Sequence, residues 1–92
     1  MRVSWTPTAT TDLEHIVDYL FERNPEIAIA TVRRIYQSAS ELNQFPHRGR
    51  PGRKTGTREL VLTPLPYLII YEVAGQGCNV LRILHGARRW PE

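Results

Sequence analysis

The 92-residue sequence predicts an α+β domain: an N-terminal strand, an antiparallel helical hairpin, and a small sheet ending in a three-stranded antiparallel meander that carries the hairpin. Three observations predict it. Apolar residues recur at helical spacing between residues 13 and 42. From residue 58 onward the chain breaks into short β-prone runs divided by proline and glycine, and a cationic stretch with no apolar side chain separates the two regimes. A chain of this length has material for one core, so one domain spanning residues 1–92 is expected.

Arg2-Val3-Ser4-Trp5 is short and β-prone, a candidate strand. Leu13, Ile16, Val17, Leu20 and Phe21 then form one stripe of an amphipathic helix, with Asp12, Glu14, Asp18 and Glu22 on the opposite side. Two starts suit this helix: Thr6 as cap with Pro7 in the first turn, or Thr11 with Glu14 as a capping box. Asn24-Pro25-Glu26 reads as cap, first position and acidic first turn of a second helix, whose stripe is Ala28, Val32, Ile35, Ala39 and Leu42.

The stretch from His47 to Gly56 interleaves proline and glycine with Arg48, Arg50, Arg53 and Lys54, so an exposed basic loop without regular structure is expected. Strands follow at Arg58 to Thr63, Tyr67 to Val73 and Cys78 to His85. Their separators, Pro64-Leu65-Pro66 and Ala74-Gly75-Gln76-Gly77, are short enough for hairpin turns. The middle run, Tyr67-Leu68-Ile69-Ile70-Tyr71-Glu72-Val73, is apolar on both alternating faces, and two helices cover only one. Either Trp90-Pro91 folds back over the other face, or a segment of a second protein lies there.

Charge is unevenly spread. Residues 1–47 hold four cations against six acids, and residues 48–92 hold eight cations against three acids, so a mildly acidic front precedes a basic back. Eleven of the twelve cations are arginine, whose planar fork matches phosphate and carboxylate, and this points to an anionic partner. The lone Cys78 excludes an internal disulfide and a cysteine-built zinc cage. No apolar run is long enough for a signal peptide or a membrane span, so a cytoplasmic protein without a membrane partner is expected.

Of the three histidines, His15 falls among helix acids and His47 in the basic loop, and none has metal-ligand spacing, so no metal and no cofactor are expected. His85 differs. It ends a strand just before Gly86-Ala87-Arg88-Arg89, where an imidazole beside two guanidiniums suits phosphate binding or acid–base work. Arg58 and Arg82 alternate with apolar neighbours in their strands. They are expected either to line one end of the sheet or to reach into water from its edges.

The order of these motifs resembles a known group. Trp5-Thr6-Pro7 with Ala9 and Asp12-Leu13, Tyr19, Asn24-Pro25, Gly56-Thr57-Arg58-Glu59-Leu60-Val61, Pro66-Tyr67-Leu68-Ile69-Ile70-Tyr71 and Ile83-Leu84-His85-Gly86-Ala87-Arg88-Arg89-Trp90-Pro91 together resemble the RelE/ParE superfamily of bacterial type II toxins, nearly end to end. The resemblance implies a growth-inhibiting toxin, of the kind that serves plasmid stabilisation, neutralised by a cognate antitoxin. Operator DNA would be met only through the toxin–antitoxin complex. Antitoxin contacts are assigned to Tyr67, Ile69 and Tyr71.

Two targets occur in this superfamily, DNA gyrase in ParE-like members and messenger RNA on the ribosome in RelE-like members. Gly86 follows His85 where ribosome-dependent members often carry tyrosine, and Lys54 is the single lysine where cleaving members tend to be lysine-rich. Gyrase is therefore ranked first, with Arg58, Arg82, Arg88, Arg89 and Trp90 as target contacts and no catalysis by the chain. On the alternative reading His85 and Arg58 are the catalytic residues of an endoribonuclease.

Overall fold

The computed structural model describes residues 2–86 and 90–91. The chain runs β1 (Arg2–Trp5), α1 (Pro7–Arg23), α2 (Pro25–Glu41), β2 (Arg50–Pro51), β3 (Arg58–Val61), β4 (Tyr67–Ala74) and β5 (Gly77–His85). One sheet holds all five strands in the order β1-β5-β4-β3-β2. The meander β3-β4-β5 is antiparallel as expected, and β1 adds to β5 in parallel.

Thr6 is the cap that starts α1. Its hydroxyl accepts from the Ala9 N–H at 3.0 Å, Pro7 takes the first turn, and the Thr11 alternative is not used. Asn24 ends α1 and caps α2, accepting from the Glu26 and Ile27 N–H groups at 3.1 and 3.3 Å. One residue thus organises the hairpin bend, its backbone N–H closing α1 and its side chain capping α2. The α2 stripe packs as read, with Ala28, Ile35, Ala39 and Leu42 at 1% exposure or less. The α1 stripe needs two corrections: Phe21 lies in solvent, and Asp12, placed by the sequence on the polar side, is buried.

The principal core lies between the hairpin and one sheet face, joining Ala9, Leu13, Ile35, Ala39 and Leu42 to Tyr67, Ile69, Tyr71, Cys78, Val80 and Ile83. A smaller cluster on the opposite face joins Leu68, Ile70 and Leu84, with Leu81 and Trp90 packed against it. The second face of β4 is therefore covered from within the chain.

Two departures from the sequence reading shape the basic end. The stretch from His47 to Gly56 is not wholly irregular: Arg50 and Pro51 pair with Glu59 and Arg58 as a short edge strand. Proline is tolerated there because an edge leaves its missing donor facing away from the ladder. In β5, Ile70 pairs with Arg82 and Tyr71 with Val80, so Leu81 is the extra residue of a bulge. Its carbonyl accepts from the Thr6 hydroxyl at 3.0 Å.

Candidate functional site

The residues singled out in the sequence fall into distinct places. Tyr67, Ile69 and Tyr71 lie in the principal core beneath the helices, at 8%, 0% and 0% exposure. Assigning them as antitoxin contacts is corrected by that burial, because the outward face of β4 belongs to Leu68 and Ile70. Arg58 points to the basic loop, donating from Nη1 to the Gly49 carbonyl at 2.6 Å and the His47 carbonyl at 3.4 Å. It fastens the loop. The Tyr71 hydroxyl fastens the same segment, accepting from the Gly49 N–H at 2.8 Å and donating to the Pro46 carbonyl at 2.7 Å.

Arg82 reaches the sheet edge and meets Asp12 in a two-point contact, Nε–Oδ2 2.7 Å and Nη2–Oδ1 3.1 Å. Its guanidinium carbon also lies 6.0 Å from the centroid of the Trp90 ring, at the limit of cation–π range. Trp90 itself seals the outer apolar cluster, and its indole N–H is buried with no hydrogen-bond partner among the described residues. Arg58 and Arg82 are therefore not two arms of one exposed cationic surface. Arg88 and Arg89 lie outside the described residues.

His85 ends β5 in the open, opposite Tyr67, with the two rings edge to face at a centroid distance of 5.8 Å. Around it is a cleft of about 450 Å³ whose other walls include Arg50, Arg53, Val61, Leu65 and Leu68. The two arginines belong to the basic loop, and Glu59 organises them. Its side chain, 1% exposed, accepts from Arg50 Nη2 at 3.1 Å, from the Arg53 N–H at 3.0 Å and from Arg53 Nε at 3.2 Å. Burial alone would raise the Glu59 pKa, yet the Arg53 and Arg50 contacts outweigh it and hold the carboxyl below its usual value of 4.5.

Sequence reasoning missed Arg50, Arg53 and Glu59 as a unit. The available signal was a lone acid inside an apolar strand, a few residues after a run of cations.

Apolar surface collects elsewhere. Tyr19, Phe21, Ile27, Ile29 and Tyr36 are each at least half exposed, all on the helical hairpin. Between the two helices Val17, Phe21, Ala28, Ile29 and Val32 line a groove of about 350 Å³, with Arg33 at its border. Among the described residues no three His, Cys, Asp or Glu side chains are grouped to hold a metal ion, and no helix is long and apolar enough to cross a membrane.

Comparison with known proteins gives a consistent picture. Residues 3–90 match the model of the ParE toxin of the type II toxin-antitoxin system parDE. The chain is 36% identical over 91 residues to the Sinorhizobium fredii protein Y4kP, covering 99% of this chain and 94% of that one. It is 40% identical over 87 residues to toxin RelE2 of Caulobacter vibrioides, covering 95% and 97%. Among solved structures it is similar to a chain of the chromosomal ParDE system from P. aeruginosa, with a TM-score of 0.85, 32% identity, and coverage of 92% and 95%.

Proposed function

The chain belongs to the ParE toxin family of type II toxin–antitoxin systems, and from that premise we propose that it arrests growth by poisoning DNA gyrase and is neutralised by a cognate antitoxin. The observation that favours a binding toxin over a cleaving one is the commitment of the two strand arginines to internal partners, which also takes Arg58 and Arg82 out of the expected target contacts. Arg58 holds loop carbonyls and Arg82 holds Asp12, so the cation assigned to stand with His85 as a nuclease pair is spent on architecture. A toxin acting by binding needs only a shaped surface. The basic end supplies one, with Arg88 and Arg89 as further contacts.

The antitoxin reading draws on the hairpin. Phe21 and Ile29, each at least half exposed, border an apolar groove between the helices that fits the nonpolar face of a partner helix. The outer sheet face, already covered by Trp90, offers less.

A second reading, ribosome-dependent cleavage of messenger RNA, is favoured by one feature: His85 borders a cleft with two arginines on its wall. The experiment that separates the readings compares His85→Ala with Arg88→Ala/Arg89→Ala in a sensitive bacterium, each variant checked for folding by circular dichroism and for antitoxin binding. Gyrase poisoning predicts that toxicity survives the histidine change, falls with the arginines, and is preceded by DNA-damage signalling. A cleaving enzyme predicts the opposite, a loss of about 10²- to 10⁴-fold from His85→Ala alone, with translation arrest first.

A further inference from the structure

We propose that the cleft between the basic loop and the end of β5 binds a peptide segment that presents a carboxylate beside a branched aliphatic side chain. This rests on the reading that the chain acts by binding, and it names the chemistry that one part of its surface recognises. The cleft has two unlike walls. One is cationic: Arg50 gives a single nitrogen to Glu59 and Arg53 gives Nε, so both guanidiniums keep N–H donors that no described residue takes. Their side chains are 61% and 50% exposed, whereas the carboxylate that aims them is 1% exposed. The donors are thus held in place from beneath and open from above.

Charge sets the size of the ligand. Two guanidiniums against one carboxylate leave one net positive charge, and His85 stands at the far side of the same cleft. That matches a single carboxylate better than a run of phosphates. The second wall is aliphatic, built from Val61, Leu65 and Leu68, with Val61 45% exposed. Of the two rings at its border, Tyr67 is buried under the helices and offers no open face for stacking a nucleobase, and the imidazole of His85 is engaged edge to face with Tyr67. An aliphatic side chain gains from removing Val61 from water while the neighbouring carboxylate takes the arginine donors.

Direct binding to the purified chain tests this without gyrase, ribosome or antitoxin, so its failure is distinguishable from failure of the toxin reading. The probe is a fluorescein-labelled octapeptide alternating leucine and glutamate, followed by anisotropy. Its controls are the same peptide with glutamine for glutamate, and a labelled octauridine. Expected are saturable binding by the acidic peptide, binding at least about 10-fold weaker for the glutamine peptide, and weakening with salt. Val61→Glu, a change at a half-exposed position, should weaken the acidic peptide about 10-fold or more, and so should Arg50→Gln, which leaves Glu59 paired with Arg53. Equal binding of the neutral peptide, tighter binding of octauridine than of the peptide, or indifference to both substitutions in a folded chain would overturn the proposal.

Discussion

The carboxylate of Asp12 and the guanidinium of Arg82, seventy residues apart in sequence, meet through two hydrogen bonds of 2.7 and 3.1 Å. The same carboxylate accepts the Ile83 N–H at 3.0 Å. β1 pairs with β5 only as far as Val80, so the β5 edge beyond it lacks a strand neighbour. An acid from the second turn of α1 takes that neighbour's place, and it fixes the helix to the sheet.

Removing this acid should be costly. Asp12→Ala removes the two-point partner of a mostly buried guanidinium and the acceptor of a buried N–H, and is expected to destabilise the chain by about 3–5 kcal/mol. Urea denaturation measures it. Replacing both partners, as Asp12→Leu with Arg82→Met, should cost less than the sum of the single changes, because no lone charge is left behind. Simple additivity would mean that the pair is not coupled as described.

Tyr71→Phe should free the basic loop while keeping the aromatic packing. The change removes the acceptor for Gly49 N–H and the donor to the Pro46 carbonyl. A loss of about 1–3 kcal/mol is expected. Amide exchange should quicken first at Gly49, and unchanged protection there would contradict the assigned bonds.

Gly49→Ala reaches the same joint from the other side. A Cβ at this position would lie 2.7 Å from Tyr71 Cε1 and 2.8 Å from its hydroxyl oxygen. Tyr71 is fully buried and has no room to withdraw, so the substitution should cost about 1–3 kcal/mol by overpacking. A thermal melt equal to that of the parent chain would show that the loop can shift freely.

Acid should loosen the cationic wall of the cleft. Glu59 titrates below its ordinary value of 4.5 in the fold, so the unfolded chain binds more protons in that range. Its contribution is complete above 4.5 and declines as pH falls through the lower, folded value. Glu59→Gln should lower stability at neutral pH and flatten this part of the acid limb. Parallel pH profiles for the two chains would place the acid sensitivity elsewhere.

The hairpin surface gives a functional prediction that leaves stability alone. Phe21 and Ile29 are 54% and 50% exposed. Phe21→Ser with Ile29→Asn should change unfolding free energy by only about 0.5 kcal/mol per site, yet weaken co-purification with the antitoxin. Undiminished co-purification would remove the antitoxin from this face.

The sequence by itself determined the order of elements and most of the packing stripes. Helical spacing in Ala28, Val32, Ile35, Ala39 and Leu42, the Asn24-Pro25 junction and the Gly75-Gln76 turn are local signals, and local rules read them correctly. The motif order also sufficed for the family, since residues 3–90 match it as a whole. What it left open were questions of side and partner. Tyr67, Ile69 and Tyr71 alternate with Leu68 and Ile70, and both sets are apolar, so periodicity carries no information about which set the helices cover. The bulge at Leu81 breaks alternation within β5, so Val80 faces the principal core while Arg82 pairs with Ile70 of the other face, a shift invisible to a period-two pattern. Neither Asp12, on the polar side of a helical stripe, nor Glu59, alone in an apolar strand, carries a local sign of which arginine it holds. Only the tertiary fold, by bringing Asp12 to Arg82, the Gly49 and His47 carbonyls to Arg58, and the buried Glu59 beneath Arg50 and Arg53, decided that Arg82 and Arg58 serve the architecture and that Arg50 and Arg53 face the cleft.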